Sequence, residues 1–278
     1  MRFLILDTDY PAFLDWLYAE NPALHEKPFD EQLRVHTDAY FGMAGFCASN
    51  LRALGHEAQD LHVNNEYMQK QWAREHGLKV GSDWQRQIRL RRGIVPWVSR
   101  NHVRRWFHDI LIAQIRYYKP DVVLNLAMDG IGSDFLQEMK QYVRLLVGQI
   151  AAHLPEGENW SVYDLVISSL PNFVEHFRRI GVRSEFIRLG FEPTVLHALH
   201  AQKKNILVSF VGSFTSSHSK RDQLLEYLCS NLPMNVWGIG VDRLPLDSPI
   251  RARYLGAVWG LRMFRVLAAS KIDRKSVV

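Results

Sequence analysis

Cysteine is scarce in this 278-residue chain: only Cys47 and Cys229 occur, far apart and in no metal or redox spacing. They read as reduced thiols of a cytosolic protein, and a disulfide scaffold is excluded. No apolar run approaches the ~20 residues that a membrane span needs, and "MRFLILDTDYP" is interrupted by Asp7 too soon to be a signal peptide. The expected location is cytoplasmic, with peripheral contact to a membrane left open. The histidines form no H-E-x-x-H pattern, and no nucleophile elbow, P-loop or full G-x-G-x-x-G is present. The turn after the first strand, "DTDYPAF", has no glycine, which speaks against a nicotinamide fingerprint. No metal or cofactor is therefore expected.

Acidic residues are absent between Asp83 and Asp109, where Arg86, Arg89, Arg91, Arg92, Arg100, Arg104 and Arg105 fall among Trp84, Trp97 and Trp106. This stretch reads either as a solvated basic face beside a loop or as a contact for an anionic membrane or polymer. No nucleic-acid-binding signature accompanies it, so no specific nucleic acid is expected.

What is present is alternation of strand and helix. "RFLILD" is continuous and apolar, as in a parallel strand buried on both faces. A helix is expected over Glu31 to Leu54, closed by Gly55, then a strand in "HEAQDLHV" and a helix over Asn65 to His76. A helix over Asn101 to Tyr118 follows, and then the strands "DVVLNL", "VRLLVGQ", "DLVISS" and "SEFIRLG", with helices over Ser133 to Gln141 and Asn172 to Ile180. The pattern is that of a doubly wound α/β domain spanning residues 1–195. A second unit over residues 203–278 holds the strands "NILVSFVGS" and "MNVWGIG". Between them lies a helix with Leu224, Leu225, Leu228 and Leu232 on its apolar face. Helices near Ser248 to Leu255 and Trp259 to Ser270 complete it.

Ligands of such sheets gather beyond the carboxyl ends of the strands. That edge carries Asp7, Asp9, Asn64, Asn65, Asn125, Asp129, Gln149, Ser168 and Ser169, each of which could instead be a cap or turn residue. His153, after the fourth strand, has a side chain suited to a general base. In the second unit, Gly212 and Ser213 allow close backbone approach just before a helix N-terminus, a natural anion site. Lys220 and Arg221 would add charge-assisted bonds to a phosphate. The alternative is that both point into water, with Ser219 and Asp222 forming a capping box.

The segments "AGFCASNLRALGHEAQDLHVNNEYMQ", "YYKPDVVLNLAMD", "VYDLVISSLPNFVEHFRRIGV" and "RLGFEP" followed by "VSFVGSFTSSHSKRDQLLEYL" resemble bacterial CgeB-like, or spore-maturation-like, glycosyltransferases. The resemblance runs from Met1 to about Ile272. It implies a GT-B architecture, with an acceptor-side N-terminal domain and a donor-side C-terminal domain that takes a nucleotide-sugar. It implies Gly212 and Ser213 at the donor diphosphate with His218 and Arg221 nearby, and Gly190 to Pro193 at the crossing between domains. The acceptor is not identified. The chain departs from the family at its end, where "RVLAASKI" runs into "DRKSVV". With two strands expected in the second unit, its sheet would be incomplete, and a truncated, weakly active transferase is the expectation. A non-catalytic fragment or interaction protein acting through the Arg86 to Arg105 surface, and an epimerase on the same fold, are the other readings.

Overall fold

The computed structural model describes every residue except 82–83, 92–94, 103–104, 153, 216–218 and 274–278. The chain divides into two compact units. One contains Met1–Val35 and Gly42–Gly190, the other His36–Phe41 and Phe191–Val278.

The first unit is built on β1 (Arg2–Asp7), which is followed by α1 (Pro11–Glu20), α2 (Phe29–Asp38) and α3 (Ala44–Ala53). Next come β2 (Glu57–His62), α4 (Glu66–Glu75), β3 (Trp84–Arg91), β4 (Val95–His102), α5 (Arg105–Tyr118) and β5 (Val122–Asn125). The unit continues with α6 (Ser133–Met139), β6 (Leu145–Gln149), β7 (Leu165–Ser168), α7 (Pro171–Arg179) and β8 (Ser184–Phe186). Six strands form one parallel sheet in the order β2-β1-β5-β6-β7-β8. The strand order reverses at β1, between β2 and β5, which makes the carboxyl ends of these strands the switch point of the sheet.

The continuous apolar character of β1 has a direct cause. Ile5 packs on Ala44 and Ala48 of α3, whereas Leu4 and Leu6 join the larger core with Leu61, Trp72, Ile110 and Ile115. Successive side chains alternate between faces, and both faces are covered. In register, Ile5 lies beside Asp60 and Asp7 beside His62, so Asp60, His62 and Asp7 all belong to the face that carries α3.

Two expectations are corrected here, the extent of the first long helix and the start of the helix before β5, and two further elements were not foreseen. The helix expected over Glu31 to Leu54 is two helices, because Tyr40 and Gly42 adopt φ of 58° and 82° and end the regular repeat. The turn after β1 leads straight into α1, opened by Pro11 at its first position. Within the arginine-rich stretch β3 and β4 pair antiparallel, with Arg86 opposite Arg100 and Arg89 opposite Trp97. The next helix accordingly starts at Arg105 and not at Asn101.

The second unit contains α8 (Thr194–Leu199), β9 (Ile206–Val211), α9 (Ser219–Asn231), β10 (Met234–Trp237), α10 (Pro249–Arg253), α11 (Gly260–Ala269) and β11 (Ser270–Asp273). Its parallel sheet has three strands, in the order β10-β9-β11, where the sequence led us to expect two. The short polar run "SKID" has no strand pattern of its own. It is recruited by pairing with β9, and Ser209 Oγ reaches Asp273 Oδ1 at 2.9 Å. The core gathers Val208, Phe210, Phe214, Leu225, Cys229, Met234, Val236 and Ile250. His36–Phe41 fold with this unit: the Ala39 carbonyl accepts from Leu261 N–H at 3.0 Å, and Phe41 meets Trp259 edge-on at 5.1 Å. The fold class is thus α/β, a Rossmann-like parallel sheet followed by a smaller parallel α/β unit.

Candidate functional site

At the switch point of the first unit the strand ends carry a dense set of polar side chains. Asp7, the last residue of β1, accepts a hydrogen bond from Thr8 N–H at 2.8 Å. Burial raises its pKa from 3.8 to about 6, opposed in part by the charge of His62. Two residues on, Asp9 is buried, and its backbone is gripped by one side chain. Asp9 N–H donates to Asn64 Oδ1 at 2.9 Å, and Asn64 Nδ2 donates to the Asp9 carbonyl at 2.8 Å.

His62 lies between two carboxylates. Its Nδ1 is 3.1 Å from Asp9 Oδ2 and its Nε2 is 3.4 Å from Asp60 Oδ2, with all three side chains almost wholly buried. Burial alone would lower the histidine pKa. The Asp9 charge, seconded by Asp60, overrides it and lifts the group from 6.5 to about 10. Burial also pushes the Asp60 carboxyl upward, but the His62 imidazolium outweighs it and holds that carboxyl below its ordinary value. At neutral pH the His62 imidazole is therefore held protonated between the two carboxyl groups, and Asp60 is held ionised.

The remaining expected edge residues divide by how far the chain itself occupies them. Asn125 is fully buried: its Nδ2 donates to the Tyr163 hydroxyl at 2.8 Å, and its Oδ1 accepts from Ala127 N–H at 2.9 Å, closing the turn after β5. Ser168 is buried as well, donating to the Ile150 carbonyl at 2.6 Å and accepting from Leu170 N–H at 3.1 Å. Both hold loop geometry. Gln149 ends β6 half-buried, Ser169 is half-buried, and Asp129 is exposed. His153 and His218 lie outside the described residues.

Beside this edge, α1, the turn from β2 into α4 and the first turn of α5 enclose a cavity of about 420 Å³. Asp15, Tyr18, Asn65, Glu66, Tyr67 and Trp106 are on its wall. Asn65 is the N-cap of α4, its Oδ1 accepting from Met68 N–H at 3.2 Å. The Tyr18 hydroxyl stands 2.9 Å from Asn65 Oδ1 and 2.8 Å from Gln32 Oε1; its single proton serves one of them at a time.

In the second unit, the Gly212 loop is shaped by the chain rather than left open. A Cβ at Gly212 would meet the Phe210 ring at 2.7 Å, and one at Gly238 would lie 1.6 Å from the Gly212 carbonyl oxygen. Gly212 N–H donates to the Trp237 carbonyl at 3.1 Å, and Phe214 N–H to that of Ile239 at 2.8 Å. Close backbone approach does occur, between the loops that follow β9 and β10. Arg221, expected to face an anion, is engaged internally. Its Nη2 donates to the Ser213 carbonyl at 2.5 Å and to Asp222 Oδ1 at 2.9 Å, and the guanidinium lies 5.4 Å from the Phe210 ring and 5.9 Å from that of Phe214. Asp222 neutralises Arg221 instead of completing a capping box with Ser219, which is itself the first helical residue. Lys220 is exposed.

Sequence reasoning missed the pair Asp60 and His62 and the cavity beside them. The signal for the pair was there: two residues apart on a strand, they share a face. The cavity depends on α1, which no apolar period announced.

No family model matches the chain, and no curated protein matches it. Among the described helices, none is long and apolar enough to cross a membrane. Among solved structures, the chain is similar to the crystal structure of a glycosyltransferase from Rickettsia africae ESF-5, at 10% sequence identity and a TM-score of 0.44, with 98% of this chain and 72% of that chain covered.

Proposed function

We propose that the chain is a glycosyltransferase of GT-B type that moves a sugar from a nucleotide-diphosphate donor to an acceptor hydroxyl bound by the first unit. The observation that carries this reading is Asp7, a desolvated carboxylate at the switch point of a parallel sheet, raised to about 6. A base of that strength, near neutrality yet ionised at pH 7, suits removal of a proton from a hydroxyl as it attacks. The resemblance of the chain's segments to CgeB-like transferases supports the same assignment. Asp7 takes the role of base in preference to His153.

The donor diphosphate is assigned to the loop from Gly212 to Ser213 and the start of α9. There the unpaired N–H groups of the helix, with exposed Lys220, would stabilise the charge that develops on the leaving group. Arg221 acts by fixing the Ser213 carbonyl and so the shape of the loop. Titration calorimetry of the full chain with UDP-, GDP- and dTDP-sugars tests the reading. Binding of at least one, with transfer lost in Asp7→Asn, is the expected result; binding of none overturns it.

The antiparallel ribbon of β3 and β4 favours a second reading, in which the chain docks on an anionic partner through residues 84–102. Salt-sensitive binding to anionic vesicles without nucleotide binding would select it.

A further inference from the structure

The cavity beside the switch point has a composition that selects its occupant. Its aromatic wall is provided by Tyr67, whose ring is half exposed and is held by Tyr18 at 4.8 Å and by His25 at 5.6 Å. Aromatic rings of this kind present an apolar face with a polar tip. Among the described residues on its wall none is cationic, whereas Asp15 and Glu66 bring carboxylates. Glu66 is paired with Lys70 at 2.6 Å, and Asp15 is exposed.

The most telling group is Asn65. Its side chain is fully buried, and its amide orientation is set by Met68 N–H, which donates to Oδ1. That leaves Nδ2 as a buried donor with no partner among the described residues. A buried amide without a partner is costly, and such groups in folded proteins are met by water or by a ligand. At about 420 Å³, the space falls within the ~300–1,000 Å³ typical of small-molecule sites.

We propose that this cavity binds a sugar ring that is neutral or positively charged, stacked on Tyr67, with a hydroxyl or ring oxygen accepting from Asn65 Nδ2 and further hydroxyls, or an ammonium group, donating to Asp15. The Asp15 carboxylate disfavours phosphorylated sugars and uronic acids by like-charge repulsion. The inference rests on the transferase reading only in calling this sugar the acceptor; the binding chemistry stands apart from it.

Saturation-transfer NMR on the full chain with methyl glucoside, methyl mannoside, glucosamine, glucuronate and glucose 6-phosphate tests the proposal. The expected result is saturation of at least one of the first three and of neither anion. Asp15→Asn should weaken glucosamine at least fivefold, and Tyr67→Ala should weaken every bound sugar at least tenfold. Tyr67 is a half-exposed residue near the start of α4, so a circular-dichroism melt checks that its variant remains folded. Binding of the anions, binding of no sugar, or sugar binding unchanged in folded Tyr67→Ala overturns the proposal. If glycosides bind here but no nucleotide-sugar binds anywhere, the transferase reading fails and the sugar site stands. If transfer proceeds with an unchanged acceptor KM in Tyr67→Ala, the site fails and the transferase reading stands.

Discussion

The carboxyl edge around β1 and β2 and the loop after β9 were both expected to meet a ligand, and they deal with their charges in opposite ways. At the first edge, a buried His62 lies between Asp9 and Asp60, and Asp7 next to them is a carboxylate that burial makes reluctant to ionise. In the loop after β9, Arg221 meets Asp222, and its aromatic and carbonyl contacts complete its surroundings. A carboxyl group held near neutrality can exchange a proton, whereas a guanidinium matched by its own neighbours serves first as architecture. The lesson is that residue type at a strand end is a weaker guide than what the neighbouring backbone does with it.

The comparison can be broken most forcefully at His62. His62→Phe would leave Asp9 and Asp60 buried without their cation, and a loss of about 3–5 kcal/mol in urea denaturation is expected; a loss below 1 kcal/mol would show the trio to be solvated. Gly238→Ala places a Cβ against the Gly212 carbonyl at a φ of 149°. It should cost at least ~1–3 kcal/mol and speed amide exchange in β9 and β10 while sparing β1.

Arg221→Ala should cost about 1–3 kcal/mol through the unsatisfied Ser213 carbonyl and lost aromatic contact. Lys220→Ala should change stability by less than about 0.5 kcal/mol and weaken nucleotide-sugar binding in calorimetry. Equal stability effects of the two would contradict the division of roles assigned to them.

Stability should also depend on pH in a particular direction. The Asp7 pKa rises on folding, from 3.8 to about 6, so the folded state binds more protons across that interval and stability falls as pH rises through it. The His62 pKa likewise rises on folding, from 6.5 to about 10, so its contribution is complete below pH about 6.5 and is lost as pH rises through about 10. Denaturation midpoints measured from pH 4 to 10 should show both declines. Asp7→Asn should abolish the lower one alone, gaining about 1–3 kcal/mol at neutral pH relative to the native chain. Should that decline persist in the variant, Asp7 is not the group responsible.

Much of the architecture was legible because burial leaves a mark on composition. "RFLILD" must be apolar at consecutive positions if both faces are covered, and Gly77 and Gly181, at φ of 64° and 82°, mark helix ends where few other residues are comfortable. The α3 helix was merged with α2 although Gly42, at φ of 82°, marks the break; Tyr40 at positive φ beside it is a choice of the folded chain. The strand β11 was missed because a polar tetrapeptide becomes a strand only when an open edge accepts it. In the same way Asn125 and Ser168 offered ligand-like groups in sequence, and the fold used them to close its own turns.

The sequence by itself determined that two α/β units follow one another, where most strands and helices lie, and that polar residues cluster at strand ends. Those properties depend on local periodicity and on glycine and proline, which act over a few residues. Tertiary structure alone decided that Asp9, His62 and Asp60 form one charged group, that Asn65 keeps a buried donor with no partner among the described residues, and that Arg221 turns inward. The first two join residues far apart in the chain and the third depends on how a loop folds back on its own helix, because charge and hydrogen bonding act through space and not along the sequence.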